Sequence, residues 1–207
     1  INLRLAAEPD PVRIPSGRLA FRRETIQAQA VRLEWRDSQG LVSGSLKGPF
    51  TPALRWQAAV SPARVGPTSL ARLAQILSVP YLADLNGALL VTRADLAGDS
   101  QGGLKSSAQG RLDGGPELWL DLRAAPQGLT IERLACRDTR SDATLRLVHT
   151  DREMSLAFKG HLAESTLKTV FIEEQVRLGS LEGDFRATLA KAPGAQPRFE
   201  GRLTGRD

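Results

Sequence analysis

A single cysteine, Cys136, stands in a chain of 207 residues, so neither a disulfide framework nor a thiolate metal cluster can be built from this chain alone. A lone cysteine of this kind reads as a small apolar residue. Histidine is almost as scarce. His149 and His161 are the only two, and neither has a His, Cys or carboxylate partner at a familiar ligand spacing. No Gly-x-Ser-x-Gly elbow supports a Ser-His-Asp set. Gly98 to Gly103 and Asp113-Gly114-Gly115 lack the Gly-x-x-x-x-Gly-Lys-Ser/Thr pattern and read as hairpin turns, not phosphate cradles. Glu173-Glu174 and Asp113 with Asp121 have no apolar surroundings that would tune an acid for catalysis, and read as solvated surface. These absences point away from an enzyme, a metal protein and a cofactor carrier. No window approaches the roughly 20 apolar residues needed to span a bilayer. No signal peptide is present either. The chain opens on Ile1 and reads as part of a longer protein, with any anchor or targeting segment outside it.

The formal net charge is +5, which permits binding to nucleic acid or another polyanion. The basic residues are scattered singly, as at Arg18, Arg32, Arg55, Arg111 and Arg146, mostly between apolar neighbours. They read as the wet side of strands, and no nucleic-acid partner is expected.

What the sequence does have is period-two alternation. Ile1, Leu3 and Leu5 alternate with polar residues, as do Leu19 and Phe21, then Val31, Leu33 and Trp35. Leu54, Trp56, Ala58 and Val60 follow, then Leu118, Leu120 and Leu122, Leu129 and Ile131, and Leu145 and Leu147. Met154, Leu156 and Phe158, then Leu181, Phe185, Ala187 and Leu189, then Phe199 and Leu203 complete the series. Successive side chains on a strand point to opposite faces, so each run makes one apolar and one polar face. Turn residues separate the runs at Asp37 to Gly40, Asp113 to Pro116, Asp138 to Asp142 and Pro193-Gly194. The expectation is on the order of a dozen strands in an antiparallel sheet.

Two segments break the alternation. Leu70, Leu73, Ile76 and Leu77 form a helical stripe behind Pro67, and Leu167, Val170 and Phe171 form a shorter one within residues 163–171. Ser69 to Gly87 and Ser165 to Gly183 are both 18 residues, each leading to a Leu-x-Gly-x-apolar segment. The chain is therefore read as one β-rich segment over residues 1–207, with two related repeats at about residues 12–97 and 128–206.

The runs Gly128 to Leu134, Met154 to Gly160, Leu181 to Ala187 and Phe199 to Leu203, with the short helix between, resemble the AsmA-like family of bacterial envelope proteins, which includes the TamB and YhdP relatives. The resemblance covers residues 12 to 206 and rests on β-patterns with glycines, not on a catalytic signature. It implies an elongated, twisted and curled antiparallel sheet with an apolar concave face. It also implies a periplasmic location, a parent chain anchored in the inner membrane, and phospholipid acyl chains as partners, with other envelope proteins beside them. This chain departs from the full family pattern in lacking the N-terminal membrane helix.

The first functional reading is thus a non-enzymatic segment that shields or conveys acyl chains and supports outer-membrane integrity, with no cofactor. Leu33, Trp35, Trp56, Leu89, Leu145, Leu156 and Phe158 are the expected groove lining. Trp119 falls out of phase with Leu118, Leu120 and Leu122 and is left for an edge, a partner or a second apolar layer. The alternative reading is a closed β-sandwich acting as a protein-interaction module, since a sealed core needs the same alternation.

Overall fold

The computed structural model describes residues 2–3, 10–49, 51–77, 83–171, 179–192 and 195–206. Twelve long strands follow a two-residue β1 (Asn2–Leu3). They are β2 (Val12–Arg22), β3 (Thr25–Trp35), β4 (Ser38–Lys47), β5 (Arg55–Val65), β6 (Leu89–Asp99) and β7 (Leu104–Leu112), then β8 (Glu117–Ala125), β9 (Gly128–Arg137), β10 (Asp142–Thr150), β11 (Glu153–Leu162), β12 (Ser180–Ala190) and β13 (Arg198–Arg206). Helix α1 (Pro67–Leu77) lies between β5 and β6, and α2 (Glu164–Val170) between β11 and β12. Ile1, Leu5, Glu173-Glu174 and Pro193-Gly194, singled out in the sequence, lie outside the described residues.

All strands belong to one antiparallel sheet in which each pairs only with its neighbours in sequence, and the sheet does not close into a barrel. The closed two-sheet sandwich is therefore not the fold. In such a meander every second connection falls at the same end, so α1 and α2 both sit at one end, six strands apart. We call this the helix end and the other the hairpin end. Among the described residues no helix is long and apolar enough to cross a membrane.

The alternation holds, with one elaboration. On β3, β5, β6 and β9 the apolar set changes phase mid-strand. Ile26 and Ala28 give way to Val31 and Leu33, and Leu129 and Ile131 give way to Leu134 and Cys136. Val60 to Ala63 on β5 and Val91 to Ala94 on β6 make the same step side by side, tied by the Ser61 hydroxyl donating to the Thr92 carbonyl at 2.6 Å. The register shifts between Ala28 and Val31, and again opposite Leu145 and Leu147, mark β-bulges. A bulge bends its strand and sharpens the twist, which is how a sheet of this width curls.

Like residues on the two faces show which side the curl encloses. Ala58, Ala63, Ala94, Ala108 and Ala143 on the apolar face are buried or half-buried, whereas Ala59, Ala97 and Ala125 on the other face are exposed. Ala135, beneath the directly opposed Trp119, and the half-buried Ala157 are exceptions on the polar face.

Candidate functional site: the apolar face and its two ends

Reading the register strand by strand gives rows of mainly apolar residues. One runs Val31, Val42, Val60, Ala94, Ala108, Leu120, Leu134, Leu145, Phe158, Phe185. The next row towards the hairpin end runs from Leu19 and Ala28 through Ala58, Leu96 and Leu122 to Leu147, Leu156, Ala187 and Phe199, and is broken at Gly44 and at the buried Ser106. Among the described residues no second sheet covers these rows.

All seven expected lining residues fall on this face, but not as one cluster. Leu145, Leu156 and Phe158 are neighbours: Leu145 opposes Phe158 and Leu156 opposes Leu147. Phe158 is 7% exposed and belongs to the packed floor, while Leu145 and Leu156 are half-buried. Leu33 opposes Gly40, and Trp35 opposes Ser38 at the helix end. Leu89 also lies at that end, between Val65 and Leu112. Trp56 lies near the hairpin end, opposite Leu46 and Gly98. A Cβ on Gly98 would come within 2.6 Å of the Trp56 ring, so only glycine leaves room for the indole to lie over that strand.

The two ends differ in how they finish the face. At the helix end each helix is held by an aspartate from a hairpin turn far off in sequence. Asp37, in the β3–β4 turn, accepts from the Thr68 and Ser69 backbone N–H groups at 2.8 and 3.0 Å and from the Ser69 hydroxyl at 2.7 Å. These are helix-start donors that would otherwise lack partners, and the carboxylate also meets the positive end of the helix dipole. The Ser69 hydroxyl also reaches the Trp35 carbonyl, which ties the end of β3 to the start of α1. Asp138, in the β9–β10 turn, accepts from the Thr166 hydroxyl at 2.6 Å and from the Arg140 and Ser141 N–H groups, both at 2.7 Å. The Ser141 hydroxyl in turn donates to Thr166 and accepts from the Ala163 N–H. Burial pushes both carboxyls up, but the Ser69 hydroxyl and the Thr68 and Ser69 N–H groups outweigh it at Asp37. At Asp138 the Thr166 hydroxyl, the two N–H groups and the Arg140 charge do the same. Both carboxyls are held below the ordinary carboxylate value.

Helix α2 then lies across the helix end. Leu85 bridges to Phe171, the Asn86 N–H donates to the Val170 carbonyl, and the β7–β8 turn residue Gly115 packs against Thr169. Leu112, Pro116, Ala88, Leu167 and Val170 are buried there. At the hairpin end, by contrast, Phe21, Met154 and Leu189 are exposed.

The structural unit that recurs is a turn aspartate, two further strands and a helix clasped by that aspartate: β3–β4–β5–α1 and β9–β10–β11–α2. Gly87 lies just before β6 while Gly183 lies within β12, so the equal glycine spacing falls on unlike elements.

The opposite face carries the charges. Lys159 pairs with Asp184, Arg137 with Asp142 and Arg93 with Asp95. Trp119 lies on this face, with the Arg133 and Arg137 guanidiniums 5.8 and 5.9 Å from its ring. His149 meets the Lys191 ammonium at 2.9 Å, and among the described residues no cluster of His, Cys, Asp or Glu could hold a metal. Burial, with the Asp138 charge beside it, pushes the Cys136 thiol up to about 11, so it stays protonated near neutrality and is no nucleophile. Sequence reasoning missed both aspartate clasps, because a helix cap donated from some 30 residues upstream leaves no local capping motif. Compared with family models, curated proteins and solved structures, the chain matches none.

Proposed function

We propose that this chain shelters hydrocarbon: it holds the acyl chain of a phospholipid along its apolar face and belongs to a periplasmic, AsmA-like envelope protein. The observation that carries the reading is the pair of neighbouring rows, one wholly apolar and one broken only at Gly44 and Ser106, on a single curled sheet with no second sheet over them among the described residues. Each buried CH₂ contributes about 0.8 kcal/mol, so a chain of a dozen or more carbons is held by shape and burial alone. A helix-plugged end and an open end suit a ligand that enters from one side and leaves its polar group in water. Low discrimination among lipids follows, because hydrocarbon offers little to distinguish.

The experiment is mass spectrometry of lipids that co-purify with the protein, paired with titration of a fluorescent fatty acid. The expected result is bound acyl chains and saturable probe binding. Clean spectra and no probe binding sink the reading. Leu156→Asp places a charge on a half-buried row position and is expected to abolish binding with the fold kept. If Leu156→Asp unfolds the protein, that row is core and not lining.

A further inference from the structure

On the charged face, the sheet obeys a simple rule with two exceptions. Directly opposed charged side chains join opposite signs: Arg13 with Glu34, Arg137 with Asp142, Asp121 with Arg133 and Arg186 with Glu200 are examples. Among the described residues only Lys47 opposite Arg55 and Lys105 opposite Arg123 set like charges against each other. Like charges placed so are destabilising. Both exceptions line the same open depression, about 560 Å³, near the hairpin end. Its walls are two rows of the polar face: Ser45, Gln57, Ala97, Lys105 and Arg123 form one, and Lys47, Arg55 and Asp99 the other.

Two acids offset only part of this charge, since Asp99 lies directly opposite Arg55 and Glu132 reaches Arg123. Asp99 turns one carboxylate oxygen to the Gln101 and Gly103 N–H groups of its own turn. Glu132 pairs with Arg123 alone, at 3.0 Å. Lys47, Arg55 and Lys105 take no ion pair among the described residues. Four cations therefore converge against two acids, an excess of two positive charges, with the Ser45 hydroxyl and Gln57 amide beside them as neutral donors.

We propose that this depression is an oxyanion site that takes a phosphate-bearing ligand. Lysine supplies a mobile point charge and arginine a planar fork, a combination suited to a tetrahedral oxyanion. A bound phosphate turns each repulsive pair into two attractive contacts. The apolar-face residues Trp56, Leu104 and Ala124 border the same depression, but the proposal rests on the placement of the four cations and not on the hydrocarbon reading.

The test is calorimetric titration with inorganic pyrophosphate at low ionic strength. One saturable site is expected in the wild type. Lys47→Gln with Lys105→Gln is expected to weaken it at least tenfold. Arg18→Gln with Arg64→Gln removes the same charge from exposed positions elsewhere and is expected to leave it within twofold. No saturable binding overturns the site, and so does equal weakening in the two double variants, which would show a response to net charge alone. Thermal melting without ligand checks that each variant folds, with Arg55→Gln and Arg123→Gln as the replacement pair. Flotation with phosphatidylglycerol vesicles separates the source of the phosphate. Vesicle association that pyrophosphate competes away, and that the site variants lose, assigns a lipid head group. Pyrophosphate binding without vesicle association assigns a soluble phosphate.

Discussion

The helix end and the hairpin end are made of the same alternating strands yet are finished in opposite ways. At the helix end, Leu112 is 0% exposed, Leu70 and Ala74 of α1 and Leu167 and Val170 of α2 are buried, the buried Ser69 is hydrogen-bonded to Asp37, and the buried Ser141 to Thr166. At the hairpin end Phe21 is 71% exposed and Phe199, on the last strand, 65%. A single-layer sheet has no opposing layer to build a core, so the dense packing that fixes one structure must come from somewhere else. Here it comes from two short helices and the turns they cross. On the sheet between, Val31, Ala94 and Phe158 are buried as a floor, and half-buried leucines such as Leu145 and Leu156 lie beside it.

This contrast breaks or stands on graded substitutions, read by urea unfolding. Leu112→Ala empties a fully buried site and is expected to cost about 2–5 kcal/mol. Thr166→Ala removes the hydroxyl that joins Asp138 to Ser141 and leaves buried polar atoms unmatched, for about 1–3 kcal/mol. Asp37→Ala removes the clasp on α1 and is expected to cost about 1 kcal/mol. At the other end Phe21→Ala is expected to stay within about 0.5 kcal/mol. If Phe21→Ala costs as much as Leu112→Ala, the two ends are not different in kind.

Acid sharpens the same comparison. Asp37 and Asp138 are both held below the ordinary 3.8, so each contributes stability that is present above that value. That contribution is lost as the pH falls through the lower value of the folded state. The wild type is therefore expected to lose stability below about pH 4 through these clasps, and a double Asp37→Ala, Asp138→Ala variant to show a flatter acid limb. An acid limb unchanged in the double variant would show that other carboxylates set it.

The fold class was legible because alternation, turn residues and helical stripes are local signals. Leu118, Leu120 and Leu122 announce β8 without help, and Pro67 with Leu70 and Leu73 announce α1. The phase change from Ile131 to Leu134 was visible in the sequence only as a break in the pattern, since a bulge acquires meaning from the strand beside it. The shared face of Leu33, Trp35, Trp56, Leu89, Leu145, Leu156 and Phe158 was legible too, but not their separation into a packed floor, a helix-end group and a half-buried stretch. Asp37 with Ser69 and Asp138 with Thr166 depend on how hairpins stack, as does the meeting of Lys47, Arg55, Lys105 and Arg123. Singly spaced cations look dispersed along the chain; the five adjacent strands β4 to β8 gather them.

The mid-strand phase changes also act as keys against mispairing. In a plain alternating strand a slip by one residue inverts every side chain and a slip by two inverts none, so a long meander of similar strands has tempting wrong alignments. On β5 and β6 the step from Val60 to Ala63 must lie beside the step from Val91 to Ala94. Any displacement of one strand along the other would leave a stretch of hydrocarbon facing charge, including the two-residue slip that plain alternation tolerates. A ribbon of near-identical rungs is thereby given notches that fit in one position.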